Sequence, residues 1–288
     1  MKRAFYWSVR RELWEHRSIW IAPLAVGVFA LLAFVIALFG HFSARSIGVF
    51  SSLPIDKQRE IVAMPFGLAA SMVGLTAWVV AVFYCLDALH GERRDRSILF
   101  WKSMPVSDLT TVLAKAAIPI VVVPCVALAI AWATQALLLP IAAAGLSGSG
   151  VDMAFILERL SIGAMAIAFA YGLAVHALWY APIFALLLLV SAAVRRPLLW
   201  IVVPVAVVQV LEKIAFGTNH SGEFLMYRLL GGMAEAFAPS AMRAPVMQLS
   251  QLEPVRFFTS PSLWLGLLAA AAFLYIAVRV RRSKEALS

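Results

Sequence analysis

The chain predicts an all-α polytopic membrane protein, and three observations carry that prediction. Of its 288 residues, 63% are hydrophobic and 14% charged, against about 45–50% and about 25% in soluble domains. Its apolar runs are long enough to cross a hydrocarbon core of about 30 Å, which takes about 20 helical residues each. The runs are continuously apolar rather than alternating, which selects helices over a barrel. Counting them gives six transmembrane helices, with the N and C termini both cytoplasmic.

The first element, 1–18, reads as an amphipathic N-terminal surface helix. Phe5, Val9 and Leu13 recur every four residues, while Arg3, Arg10 and Arg17 recur every seven on another face. Trp7 and Trp14 suit a membrane interface. This basic stretch is too long, and the following apolar run too extended, for a cleaved signal, whose apolar region is about 7–15 residues. The first span is 19–39, with Pro23 tolerated near its start. Residues 40–60 mix Arg45, Asp56, Lys57, Arg59 and Glu60 with Pro54 and read as an external loop. The second span is 61–86.

The densest polar stretch between two apolar runs follows at 91–108. Arg93, Arg94, Arg96 and Lys102 mark it as cytoplasmic. Ile98, Leu99, Phe100, Trp101 and Met104 interrupt the charge, an apolar patch that suits docking on a protein or on the membrane surface. Pro105 ends a short helix there, and Ser107 or Asp108 caps the third span.

That third span, 109–139, carries Pro119 and Pro124, with Pro140 at its end, so kinks are expected. A Gly/Ser-rich turn at 141–152 follows. Residues 155–194 are too long for one span and barely enough for two. Arg195 and Arg196 require an odd number of crossings, which gives one long or broken helix with an external lead-in near 158–167 and a bend near 179–182. The fifth span is 197–211, a half-polar external region covers 212–260, and the sixth span is 262–280. With this topology the cytoplasmic side holds sixteen of the 24 Lys and Arg and seven of the 15 Asp and Glu. All of the net charge of +9 then lies inside, and sixteen Lys and Arg inside against eight outside agree with the positive-inside rule. Anionic headgroups and an acidic partner surface account for the basic excess, with no nucleic acid needed.

Catalytic signatures are sparse. The chain has no G-x-x-x-x-G-K-[ST] loop, so ATP hydrolysis through that motif is excluded. His16, His41, His90, His176 and His220 lack metal-ligand spacing. Cys85 and Cys125 sit in or beside spans and define no disulfide framework. Gly145-Leu146-Ser147-Gly148 matches the G-x-S-G of rhomboid-type proteases, with His176 and His220 downstream. That chemistry needs a histidine beside the serine, whereas a Gly/Ser-rich turn yields the same four letters by chance. Gln135, Tyr171, His176 and Gln209 are polar groups within or beside spans. They are candidate cargo-pathway residues, with interhelical hydrogen bonding as the plainer role.

Together, the surface helix, six spans, Glu92-Arg93-Arg94, Ser103-Met104-Pro105-Val106-Ser107 through Lys115, and Ser191 before Arg195-Arg196 resemble the ABC-2 type permeases, the membrane subunits of ATP-binding-cassette exporters. The resemblance implies a homodimer in the bacterial cytoplasmic (inner) membrane. Two copies of a separate ATP-binding subunit would hold ATP and Mg, and this chain would bind no cofactor. It also implies that the loop between the second and third spans is a cytoplasmic coupling helix. Its docking residues would be Glu92, Arg93, Arg94, Asp95, Arg96, Ile98, Phe100, Trp101, Lys102, Met104 and Pro105. The expected function is therefore a non-enzymatic exporter permease. A non-transporting regulatory or assembly subunit, and a rhomboid-like protease, are the alternatives.

Overall fold

The computed structural model describes residues 2–41, 50, 52–95, 97, 106–146, 153–242 and 249–283. Among them the fold is helical, and the one β-type contact is an isolated antiparallel bridge between Phe237 and Leu252. Six helical segments are long and apolar enough to cross a membrane, so the chain is a multi-pass α-helical membrane protein.

Helix α1 (Lys2–Glu15) lies outside these spans. It ends before Arg17, which sits in the corner leading to α2 (Ser18–His41) rather than on the surface helix. The second spanning helix, α3 (Ile55–Ala88), starts six residues before the expected 61. Asp56, Lys57, Arg59 and Glu60 ride on its first turns instead of forming a loop. The acidic Asp56 suits a helix N-terminus, and Lys57 Nζ pairs with Glu60 Oε2, three residues further along the helix, at 2.7 Å.

A near-continuous turn at Leu89 leads to the short α4 (His90–Arg94). The third span is built from α5 (Asp108–Ala117), a π-helical turn (Ile118–Val122) that accommodates Pro119, and α6 (Val123–Leu146). Helix α6 runs through Pro140 to Leu146, past the expected end at 139. Close packing supports the extension: a Cβ on Gly145 would lie 2.1 Å from Leu38 Cδ2, so α2 and α6 approach too tightly for any larger residue there.

The segment 155–194 is broken within the expected lead-in at 158–167, whereas the expected bend at 179–182 is a continuous helix. Helix α7 (Met153–Arg159) stops, and α8 (Ile162–Ala193) then continues uninterrupted through Pro182. Helix α9 (Pro197–Phe216) outruns the expected 211 and ends on Gly217, whose φ of 66° is the left-handed conformation of a C-terminal stop. Within 212–260, α10 (His220–Ala236) and α11 (Pro254–Thr259) form. The last span is α12 (Pro261–Ser283).

Small side chains govern the packing. The buried stripe of α3 runs Ala63, Phe66, Ala70, Val73, Ala77, Ala81, Tyr84, Ala88, at steps of three and four. Lipid tails are as apolar as any side chain, so helices in a bilayer associate through close van der Waals contact, which alanine and glycine permit. One core joins α2, α3, α5, α6, α8 and α12 around Val73, Tyr84, Val112, Ala127, Phe184 and Ala277. Helix α10 folds back onto α8. Trp179 Nε1 donates to the Arg228 carbonyl at 2.8 Å, Arg228 Nη2 donates to the Trp179 carbonyl at 2.7 Å, and Tyr180 donates to the Leu229 carbonyl. Glu212 receives the amides of His220 and Ser221 at 2.5 and 2.9 Å and so caps α10, a favourable place for a carboxylate.

Candidate functional site

The fold brings α1, α4, α5 and the last turns of α12 together at one end of the bundle, around charges buried from solvent. Glu12, Glu92, Lys115 and Arg281 are 1%, 7%, 2% and 3% exposed. Isolated buried charges cost several kcal/mol each, so their partners decide whether the arrangement is stable.

Every carboxylate oxygen of the two glutamates has a cation or hydroxyl. Glu12 Oε1 meets Arg11 Nη2 at 2.6 Å and Lys115 Nζ at 2.9 Å, and its Oε2 accepts from Tyr84 Oη at 2.8 Å. Glu92 Oε1 meets the same Arg11 and Lys115 atoms at 3.3 and 3.2 Å, and its Oε2 meets Arg281 Nη1 at 2.5 Å. Arg281 Nε then reaches Asp108 Oδ1 at 3.0 Å. Three buried or half-buried acids (Glu12, Glu92, Asp108) face three bases (Arg11, Lys115, Arg281), so the inner knot is neutral, with the exposed Glu15 at its edge, 3.6 Å from Arg11 Nε. Burial alone pushes the Glu12 carboxyl up, but Lys115 and then Arg11 outweigh it and hold it at about 2.

Backbone contacts fix the same corner. Ser191 Oγ, fully buried, accepts from the Leu89 and His90 amides at 3.1 and 2.8 Å. These amides open α4 and would otherwise lack a partner. Arg93 Nη1 donates to the Ala192 carbonyl at 2.6 Å and covers the C-terminal end of α8. Ser107, rather than Asp108, caps α5 by accepting from Thr110 N at 3.1 Å, which leaves Asp108 for Arg281. Glu92 and Asp108, which bracket the 95–107 segment, are thereby held by one arginine of α12.

The docking residues expected from the sequence divide three ways. Glu92 and Arg93 are buried in this corner. Arg94 and Asp95 are exposed, with Arg94 Nε 3.1 Å from Asp95 Oδ1. Arg96, Ile98, Phe100, Trp101, Lys102, Met104 and Pro105 lie outside the described residues, as does Ser147. On α1, Val9 and Leu13 pack against the core whereas Phe5 and Arg3 are exposed. Arg10 stacks 5.1 and 4.7 Å from the centres of the Trp7 and Trp14 rings. The residue that α1 contributes most deeply is Glu12, which sequence reasoning passed over. Its signal was its place beside Val9 and Leu13 on the apolar stripe. Lys115 carried another: a cation two turns inside a span needs a carboxylate.

The candidate pathway residues do not converge on one site. Gln135 donates to the Phe66 carbonyl at 3.4 Å and lines an apolar cavity of about 190 Å³ with Trp132, Leu139, Ile162 and Met165. Tyr171 packs on Phe237, with ring centres 5.3 Å apart. His176 packs on Tyr180 and Trp78, at 4.2 and 6.5 Å. Gln209 is half-buried on α9, whose other span residues are largely exposed.

Ligand atoms of Glu12, Glu15 and His16 lie within 4.8 Å of one another. Arg11 and Lys115 already occupy Glu12 and would repel a cation, so this trio suits an ion pair better than a metal. Comparison of the chain with protein-family models, with curated proteins and with solved structures gives no match. Function is therefore argued from the site itself. Chemically the Glu12 and Glu92 carboxylates are fully engaged, an arrangement suited to locking four chain segments into one rigid unit.

Proposed function

We propose that this chain is the transmembrane subunit of an ATP-driven exporter of the ABC-2 permease kind, working as a dimer in a bacterial cytoplasmic membrane. Two ATP-binding subunits, separate chains that carry ATP and Mg, would dock on the 95–107 segment. The observation that supports this reading best is the ion knot. It joins Glu92 and Asp108, on either side of that segment, to Arg281 of α12 and Glu12 of α1. A displacement applied to the segment by a partner would then reach the first, second, third and sixth spans together rather than dissipate in a flexible loop. The basic excess at 93–102 and the apolar Ile98, Phe100, Trp101 and Met104 have the composition of an interface with a basic rim, complementary to an acidic partner surface, and an apolar centre. Differential affinity of the partner for two arrangements of the dimer would drive transport.

The test is co-purification with a cassette ATPase encoded beside this gene, followed by ATPase assays in proteoliposomes. Trp101→Ala should leave expression and assembly of the spans intact and lower permease-dependent ATPase activity. If no ATPase co-purifies in mild detergent and the rate is insensitive to Trp101→Ala, the reading fails in favour of a non-transporting membrane module.

A further inference from the structure

The cavity beside Gln135 lies between α3, α6 and α8, far from the ion knot. Gln135 follows Lys115 by 20 positions along the third span, about 30 Å of helix. Phe66, Trp132 and Met165 form apolar walls, and the short side chains of Ala136 and Ala166 leave the gap between them. Gln135 is 8% exposed and sets a polar group in this apolar lining. That amide is poorly satisfied. It donates to the Phe66 carbonyl at 3.4 Å, beyond the usual range of about 2.7–3.2 Å. Among the described residues it makes no other hydrogen bond. A glutamine amide carries two N–H donors and an acceptor oxygen, so Oε1 and one N–H have capacity left. The hydrocarbon of a bilayer offers no bulk water to use it.

The lining indicates what fits. Among the described residues that line the cavity there is no Lys, Arg, Asp or Glu, so an ionised group would enter uncompensated and a neutral one is favoured. A hydroxyl suits the spare capacity of Gln135, since it donates to Oε1 or accepts from Nε2. An apolar cavity of about 150 Å³ holds a benzene ring, so the volume of about 190 Å³ here takes about eight non-hydrogen atoms. The rings of Phe66 and Trp132 and the adaptable thioether of Met165 offer favourable contacts to an aromatic ring. Trp132 and Ala136 are exposed on the surface of a spanning helix, so the cavity is reached from the bilayer. We propose that this cavity binds a neutral phenol-like compound, with its ring between Phe66 and Trp132 and its hydroxyl on the Gln135 amide. The end of an acyl chain is the competing occupant, and it leaves the amide as it is. The proposal does not rest on the transport reading.

The test uses the full-length protein in phosphatidylcholine vesicles and a matched pair of probes, 4-bromophenol and 4-bromotoluene, which differ only in hydroxyl against methyl. Bromine quenches tryptophan fluorescence on contact, and Trp132 lines the cavity. 4-Bromophenol should quench saturably, above the linear quenching by probe dissolved in the bilayer, and Trp132→Phe should remove the saturable part. 4-Bromotoluene should bind the parent more weakly. Gln135→Leu should weaken 4-bromophenol about two- to tenfold, the equivalent of one hydrogen bond, and leave 4-bromotoluene unchanged. Ala136→Phe, at an exposed position, fills the cavity from the bilayer side and should abolish saturation by both probes while sparing the buried packing. Saturation that survives both Ala136→Phe and Trp132→Phe would put the probe elsewhere and overturn the site. Equal affinity for the two probes, or a Gln135→Leu variant that binds 4-bromophenol as the parent does, would mean an apolar gap that acyl chains fill and would overturn hydroxyl recognition. Linear quenching alone by both probes would overturn the proposal outright.

Discussion

Replacing Lys115 by methionine isolates what the ion knot contributes. The side chains are similar in length, so packing changes little while one charge disappears. Glu12 and Glu92 lose the ammonium that now lies 2.9 and 3.2 Å away. Three buried or half-buried acids then face only Arg11 and Arg281. Breaking a buried pair by removing one partner typically costs about 3–5 kcal/mol, because the remaining charge is left uncompensated. Lys115→Met should therefore lower the melting temperature sharply in detergent at neutral pH. Adding Glu12→Gln should recover part of the loss, since it restores two acids against two bases and the new amide can still accept from Tyr84. Coupling between contacting residues is about 0.5–3 kcal/mol, so the double variant should be measurably more stable than Lys115→Met alone. The deficit of the single variant should also shrink as pH falls through the carboxylate range, because protonation removes the excess negative charge. Strict additivity in the double variant, with no pH dependence of the single, would refute the neutral-knot account.

Other consequences can be measured in the same preparation. The Glu12 carboxyl is held at about 2 in the fold against an ordinary 4.5. Its stabilisation, about 3 kcal/mol, is fully present above about pH 4.5 and lost as pH falls towards 2; Glu12→Gln should flatten that limb of the stability curve. Ser191→Ala leaves two amides without an acceptor, which should cost about 1–3 kcal/mol and speed hydrogen exchange at Leu89 and His90. Gly232→Leu places a Cβ 2.6 Å from Cγ of the fully buried Trp179. Overpacking costs about 1–3 kcal/mol, and α10 should become more sensitive to protease in the 217–260 region while α1 and its neighbours are unaffected.

Comparing expectation with structure separates two kinds of information. Span existence was legible because burying twenty apolar residues in lipid is a local property of the chain. Span ends were not. Asp56 to Glu60 read as loop from their charge, yet helix continues through charge wherever the backbone has no better partner than its own. Pro140 read as a terminus, but tight packing of Gly145 on Leu38 keeps the helix going. The break at 160–161 lies within the lead-in expected at 158–167, whereas Pro182 read as a bend and α8 remains helical through it. The candidate site was half legible: Glu92 and Arg93 stood out as a charged pair beside a span. Their partners did not, because Glu12, Lys115 and Arg281 are separated from Glu92 by 80, 23 and 189 positions.

By itself, then, the amino-acid sequence determined the solvent of this protein, the number of crossings and the position of its most charged connection. Each follows from the transfer energy of contiguous residues. Only the tertiary structure decided which charges are structural. Pairing energy depends on distance between side chains brought together from four helices. It also decided that Arg11, Lys115 and Arg281 are the cations that match Glu12 and Glu92. That matching rests on the placement of charges in three dimensions, which composition and spacing do not encode.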